Sequence, residues 1–157
     1  MTFTDLPANW LKLPLTDPDL AADVVDLYVS QGDRRRGVLS ALLCDAEVRF
    51  VAAIDLDLPE EGPLTSPKAC ARALAPLIPA LQLRPEGALL LALGRPRPNP
   101  ASDHDWTKAA LETCRAASIR LLTFYIATPG HLRRATLPTP RLTPIPRPPW
   151  VDCRLSC

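Results

Sequence analysis

The sequence predicts an α/β (α+β) fold in which a mixed β-sheet is sandwiched by helices. Three observations lead there. Apolar runs of strand length, "GVLSALLCD", "VRFVAAIDLDL", "GALLLAL" and "IRLLTFYIA", recur along the chain. Segments with apolar residues at helical spacing stand before and between them. The first two runs are separated only by "AE", which is hairpin spacing, whereas the later runs are joined through helical patterns. A sheet built from such connections is covered by its helices.

The elements follow in order. In "TDPDLAADVVDLYVSQG", Asp17 is a candidate N-cap, Pro18 the first helical residue, and Gly32 lies past the end. Leu20, Val24, Leu27 and Tyr28 share one face, so a helix is predicted over 18–31. The hairpin strands fall at 37–44 and 48–57, both apolar enough to be covered on two faces. "PEEGPLT" is a loop. "SPKACARALAPLIPALQ" enters a helix at its Ser–Pro, and Pro76 and Pro79 end or kink it near 75. "GALLLAL", 87–93, reads as the central strand. A helix opened by Ser102 carries Trp106, Ala109, Ala110, Cys114 and Ala117 at helical spacing. A buried strand follows at 119–127, and "HLRRATL" adds a short edge strand.

With 157 residues, 47% hydrophobic and 22% charged, the chain suits one domain with its own core. No apolar run approaches the roughly 20 residues that span a bilayer. "MTFTDLPANW" lacks the basic and apolar regions of a secretory signal, so the expected location is cytoplasmic. Five cysteines, at 44, 70, 114, 153 and 157, form no regular framework, and reduced thiols are expected. The net charge of +1 is uneven: residues 1–32 hold five Asp against one Lys, and residues 127–157 five Arg against one Asp. The basic end is a candidate surface for an acidic partner, or a solvated tail. Seven prolines between 129 and 149 exclude regular helix or inner strand there. The expected organisation is an N-terminal extension over 1–17, a domain over 18–136 and a Pro/Arg-rich tail over 137–157.

One stretch carries a family likeness. "GALLLALGRPRPNPASDHDWTKAALETCRAASIRLLTFYIA" resembles the C-terminal domain of RadC-type proteins, members of the JAMM/MPN metalloprotease-like family with its cytidine-deaminase-like architecture. In that family an apolar strand runs into His-x-His-Pro, then a Gly/Pro-rich loop, then Ser-x-x-Asp at a helix start. Here the strand is "LLLA", the proline Pro96, the loop "RPNPA", and Ser-x-x-Asp is "SDHD", Ser102 to Asp105. Upstream, "RRRGVLSALLCDAEVRFVAAIDL" is similar to the family's opening hairpin, and "SPKACARAL" to its helix entry. The likeness covers about residues 20–135 and lies in order and pattern rather than identity.

What the resemblance implies about chemistry is limited by its departures. The family's zinc centre needs two His and one Asp as ligands and a Glu that activates the bound water, so that an open tetrahedral Zn²⁺ lowers the water pKa towards about 7. In this chain the first His position is Leu93, the second Arg95, and the Glu position aligns best with Gly37. Ser102 and Asp105 remain. Leu cannot ligate, and Arg brings a fixed positive charge. Ser102 and Asp105 also read as a capping box, Ser102 accepting from the third helical amide and Asp105 reaching back to the amide of Ser102. An Arg95–Asp105 salt bridge would then set a guanidinium where the metal stands in the family.

The function this implies is that of a non-catalytic RadC-like JAMM/MPN domain, a pseudoenzyme acting as a protein-interaction scaffold, with the family's association with DNA repair and genome maintenance. No catalytic residue, metal or cofactor is expected. Two alternatives stand beside it: phosphate binding to nucleic acid through the Arg-rich loop and tail, with Arg95, Arg97, Arg133, Arg134, Arg141 and Arg147, and a hydrolase with a relocated site. His104 and His131, the only histidines, form no ligand spacing with Cys153 and Cys157. The expected partner is another protein; self-association and weak nucleic-acid binding are the alternatives, and no membrane is involved.

Overall fold

The computed structural model describes residues 6–58 and 67–137. The Pro/Arg-rich tail from residue 138, with Cys153 and Cys157, lies outside these, as does the loop "PEEGPLT". Among the described residues, five strands form one mixed sheet in the order β2-β1-β3-β4-β5. These are β1 (Val38–Cys44), β2 (Phe50–Asp57), β3 (Ala88–Gly94), β4 (Arg120–Thr128) and β5 (His131–Arg134). Only β3 and β4 run parallel; the other neighbours are antiparallel. Among the described residues, a short 3-10 turn (Trp10–Lys12) and five α-helices accompany them: α1 (Pro18–Tyr28), α2 (Gln31–Arg36), α3 (Pro67–Leu74), α4 (Ile78–Gln82) and α5 (Pro100–Ala116). The α/β class is as the sequence predicts.

Strand alternation sorts the core into two layers. Ala88, Leu90 and Ala92 of β3 face Val24 and Val25 of α1, together with Leu42 and Tyr125. Leu89, Leu91 and Leu93 face the other way, against Cys70 and Leu74 of α3 and Trp106 and Cys114 of α5. Every residue of β3 is buried, which is why its sequence is apolar without alternation. Residues before α1 join the first layer: Leu15 is buried, and Trp10 packs near Tyr28 and Phe50.

Several boundaries depart from expectation. The first helix ends at Tyr28, not near 31, because a second helix restarts at Gln31. Ser30 caps α2 through the amide of Asp33, and the Asp33 carboxylate accepts from the amide of Ser30 in return, so Gly32 lies inside a helix rather than past one. α4 was not foreseen; Pro79 stands in its first turn, where a missing N–H costs nothing. The second hairpin strand begins at Phe50, not Val48, and it is not covered on two faces as expected: it is an edge strand, half-buried to exposed over residues 50–56, with Val51 50% exposed. Val48 sits instead in the turn with φ 63°, a left-handed conformation rare for a β-branched residue. It is buried there, and its carbonyl accepts the Leu15 amide at 2.8 Å.

Candidate functional site

The site lies at the C-terminal ends of the parallel pair, where β3 runs into "GRPRPNP" and α5 begins. Its centre is Arg95, one residue beyond β3 and only 4% exposed. The Arg95 amide donates to the carbonyl of Ala127 at 2.9 Å, which continues the ladder towards β4. Its guanidinium turns onto the first turn of α5. There Nη1 donates to Asp103 Oδ1 in a short contact, and Nη2 to Ser102 Oγ at 3.2 Å. Asp103 is 2% exposed, and its second carboxylate oxygen accepts from Nη2 of Arg133 on β5 at 3.2 Å. A buried carboxylate is thus clamped between two guanidiniums, one buried and one half-exposed. Such a charge is tolerated inside because both of its oxygens are partnered.

This geometry corrects the expected pair. Asp105 is exposed, and the partner of Arg95 is Asp103. The cause is the helix start. α5 opens at Pro100 with Asn99 as its N-cap, and Asn99 Oδ1 accepts the Ser102 amide at 3.3 Å. Ser102 is therefore inside the first turn, not the cap, and its hydroxyl is spent on Arg95. Successive helical residues are about 100° apart, so Asp103 and Asp105 project to nearly opposite sides. Burying one exposes the other. Thr107 extends the network, its hydroxyl donating to the carbonyl of Asp103 at 2.7 Å.

The other positions fall into place around this pair. Leu93 is 1% exposed and packs in the layer with Leu39 and Trp106. Gly37 and Arg95 are the next residues out from the terminal β1–β3 pair, Val38 with Gly94. Gly37, Leu93, Arg95 and Ser102 therefore converge on one end of the sheet; Asp105 does not join them. Gly37 has a local reason to be glycine. It ends α2 at φ 86°, where a side chain is strained, while its amide donates to Asp33 at 2.9 Å. Gly94 is constrained by proximity: a Cβ there would lie 3.1 Å from a Val38 methyl and 3.4 Å from the Arg34 Cα, so α2 rests directly on the end of β3.

The sequence reading missed Arg34. It is 1% exposed and closes the same end of the sheet on the α1 side. Nε donates to the Val29 carbonyl at 3.0 Å, Nη1 to the Thr128 carbonyl at 3.2 Å, and Nη2 to Asp26 at 2.6 Å. The signal available was Ser30-x-x-Asp33, a capping box that announces a helix inside "SQGDRRR".

The four arginines read as a basic patch do not form one. Arg95 is inside. Arg97 is exposed on the loop. Arg133 and Arg134 alternate along β5, Arg133 towards Asp103 of α5 and Arg134 towards Thr123, where Nε donates to the hydroxyl at 3.1 Å. His104 and His131 are both exposed. Among the described residues no three His, Cys, Asp or Glu side chains gather as a metal would require. Cys44, Cys70 and Cys114 are buried free thiols, pushed up by burial to about 11, 12 and 11, so they stay protonated at neutral pH.

The chain matches no protein-family model, no curated protein and no solved structure. No helix among the described residues is long and apolar enough to cross a membrane.

Proposed function

We propose that the chain is a non-catalytic RadC-like JAMM/MPN domain that works as a protein-interaction scaffold in genome maintenance. The observation that carries this reading is the buried Arg95 guanidinium, clamped on Asp103 and Ser102 at the strand end where the resembled family sets its metal. A fixed cation already neutralises the one buried carboxylate there. The remaining family positions are taken by Leu93, which has no donor atom, and Gly37, which the backbone requires. With ligands and base replaced by packing and a salt bridge, binding is the activity left to the fold.

The test is metal stoichiometry on the purified full chain, incubated with excess zinc and then dialysed. Because cysteines lie in the tail, the Cys153→Ser, Cys157→Ser variant is measured beside it. The reading requires less than about 0.1 zinc per chain in that variant. One zinc per chain that disappears on Asp103→Asn would overturn it and return the site to metal chemistry.

A further inference from the structure

A second site lies at the opposite end of the sheet, and nothing about it depends on the Arg95 reading. Where β1 ends and β3 and β4 begin, a cavity of about 220 Å³ opens between α4, the Arg84–Gly87 turn and the exit of α5. Its walls are mainly apolar, from Leu43, Val51, Leu81 and Ile119. Arg84 and Arg120 are the charged members of the lining, and among the described residues no acidic side chain lines it. Both are exposed, and neither makes an ion pair among the described residues. Glu86, in the same turn as Arg84, does not line the cavity. Cys44, which does, is held protonated by burial and adds no negative charge.

The frame around these arginines is built rather than incidental. Arg84-Pro85-Glu86-Gly87 is a β-turn closed by the Gly87 amide on the Arg84 carbonyl at 3.0 Å, with proline and glycine at the positions that favour it. Gly87 admits no side chain, since a Cβ would stand 2.9 Å from the Cys44 carbonyl oxygen. Next to the lining residues Leu81 and Ser118, Gln82 Nε2 donates to the Ala117 carbonyl at 3.2 Å and ties α4 to the end of α5. Val51, on the cavity wall, is 50% exposed.

We propose that this cavity binds a small apolar monocarboxylate, its hydrocarbon among Leu43, Val51, Leu81 and Ile119 and its carboxylate between Arg84 and Arg120. Charge complementarity selects the head: two guanidiniums without an internal counter-charge are matched by one carboxylate in charge-assisted hydrogen bonds. Volume selects the tail. An apolar cavity of about 150 Å³ already accepts a benzene ring, so this one suits a chain of roughly six to eight carbons.

The experiment is calorimetric titration of the full chain with octanoate and, separately, with octanol, at pH 7.5 and low salt. Octanoate should bind at least tenfold more tightly than octanol and weaken as salt rises. Arg84→Gln with Arg120→Gln should reduce octanoate affinity at least tenfold and leave octanol unchanged. Both residues are exposed, and an unchanged melting temperature checks that the variant is folded. Ala80→Trp, which sets an indole on the cavity lining, should abolish binding of both. Equal affinity for octanoate and octanol, or an octanoate affinity untouched by the paired substitution, overturns the proposal. Tighter binding of a short peptide with an apolar C-terminal residue and a free carboxylate than of octanoate also overturns it, and moves the occupant to a protein terminus.

Discussion

Arg95 and Asp103 show what a buried ion pair demands of its neighbours. Removing the guanidinium by Arg95→Ala strands a carboxylate that is 2% exposed, with only the half-exposed Arg133 still on it. The expected loss is about 3–5 kcal/mol by urea denaturation, because the unpaired charge and not the missing attraction dominates. Arg133→Ala, with the outer partner 49% exposed, should cost less than about 1 kcal/mol in the same assay. Titration gives two further expectations. The Ser30 hydroxyl, bonded to the Asp33 carboxylate, holds that group below its ordinary 3.8. Its contribution is complete above about pH 4 and is lost as pH falls through the folded value, so Asp33→Asn should flatten the acid limb of a stability profile. The buried thiols act in the opposite sense. Raised from 9.0 to between about 11 and 12, they ionise more readily unfolded, so stability should fall as pH rises from about 9. Replacing Cys70 with Ala should shallow that alkaline limb.

Among the elements, α5 has the best-defined ends. Its C-terminus is a Schellman motif: the Ile119 amide donates to the Cys114 carbonyl at 2.8 Å and the Ser118 amide to that of Arg115 at 3.1 Å. Ser118 occupies the left-handed position, φ 57°, usually held by glycine. Ser118→Gly should therefore raise stability by about 0.5–1 kcal/mol, read as a higher urea midpoint at unchanged slope. The N-terminus of α5 explains why the salt-bridge partner was misread. "SDHD" is a sound capping pattern, but Asn99-Pro100 is a competing one three residues earlier, with the cap before a proline at the first helical position. Choosing between them turns the helix by enough to exchange Asp103 for Asp105. α2 and α4 escaped for a related reason. Both are shorter than two turns, so apolar periodicity, which needs a longer window, has nothing to count. Their evidence is in caps and in where a proline is harmless.

For the whole molecule, the inner strands were legible because burial on two faces leaves nothing but apolar runs, and β1, β3 and β4 lie within a residue or two of their expected bounds. Their order was not. That β1 pairs with β3 as well as β2 depends on contacts between residues about 50 apart, such as Leu39 with Leu93, which no local pattern encodes. The distribution of charge likewise emerges only in three dimensions. Arg95 is consumed internally and Arg133 and Arg134 face opposite layers, so the loop and edge strand offer no continuous positive surface. Phosphate binding scales with the number of arginines acting together. The loop and edge strand should therefore contribute nothing to duplex DNA binding: in a gel-shift assay at 0.15 M salt, Arg97→Ala with Arg133→Ala should leave the mobility pattern of the full chain unchanged, and salt-sensitive retardation abolished by that pair would restore the nucleic-acid reading for the loop. The account as a whole stands on the clamp at the end of β3, and a double-mutant cycle over Arg95→Ala and Asp103→Ala, followed by urea denaturation, interrogates it most directly. A coupling energy of roughly 2 kcal/mol or more is predicted for a buried, mutually dependent pair. Additive losses, with coupling below about 0.5 kcal/mol, would mean that the guanidinium does not hold this site, and would contradict the account.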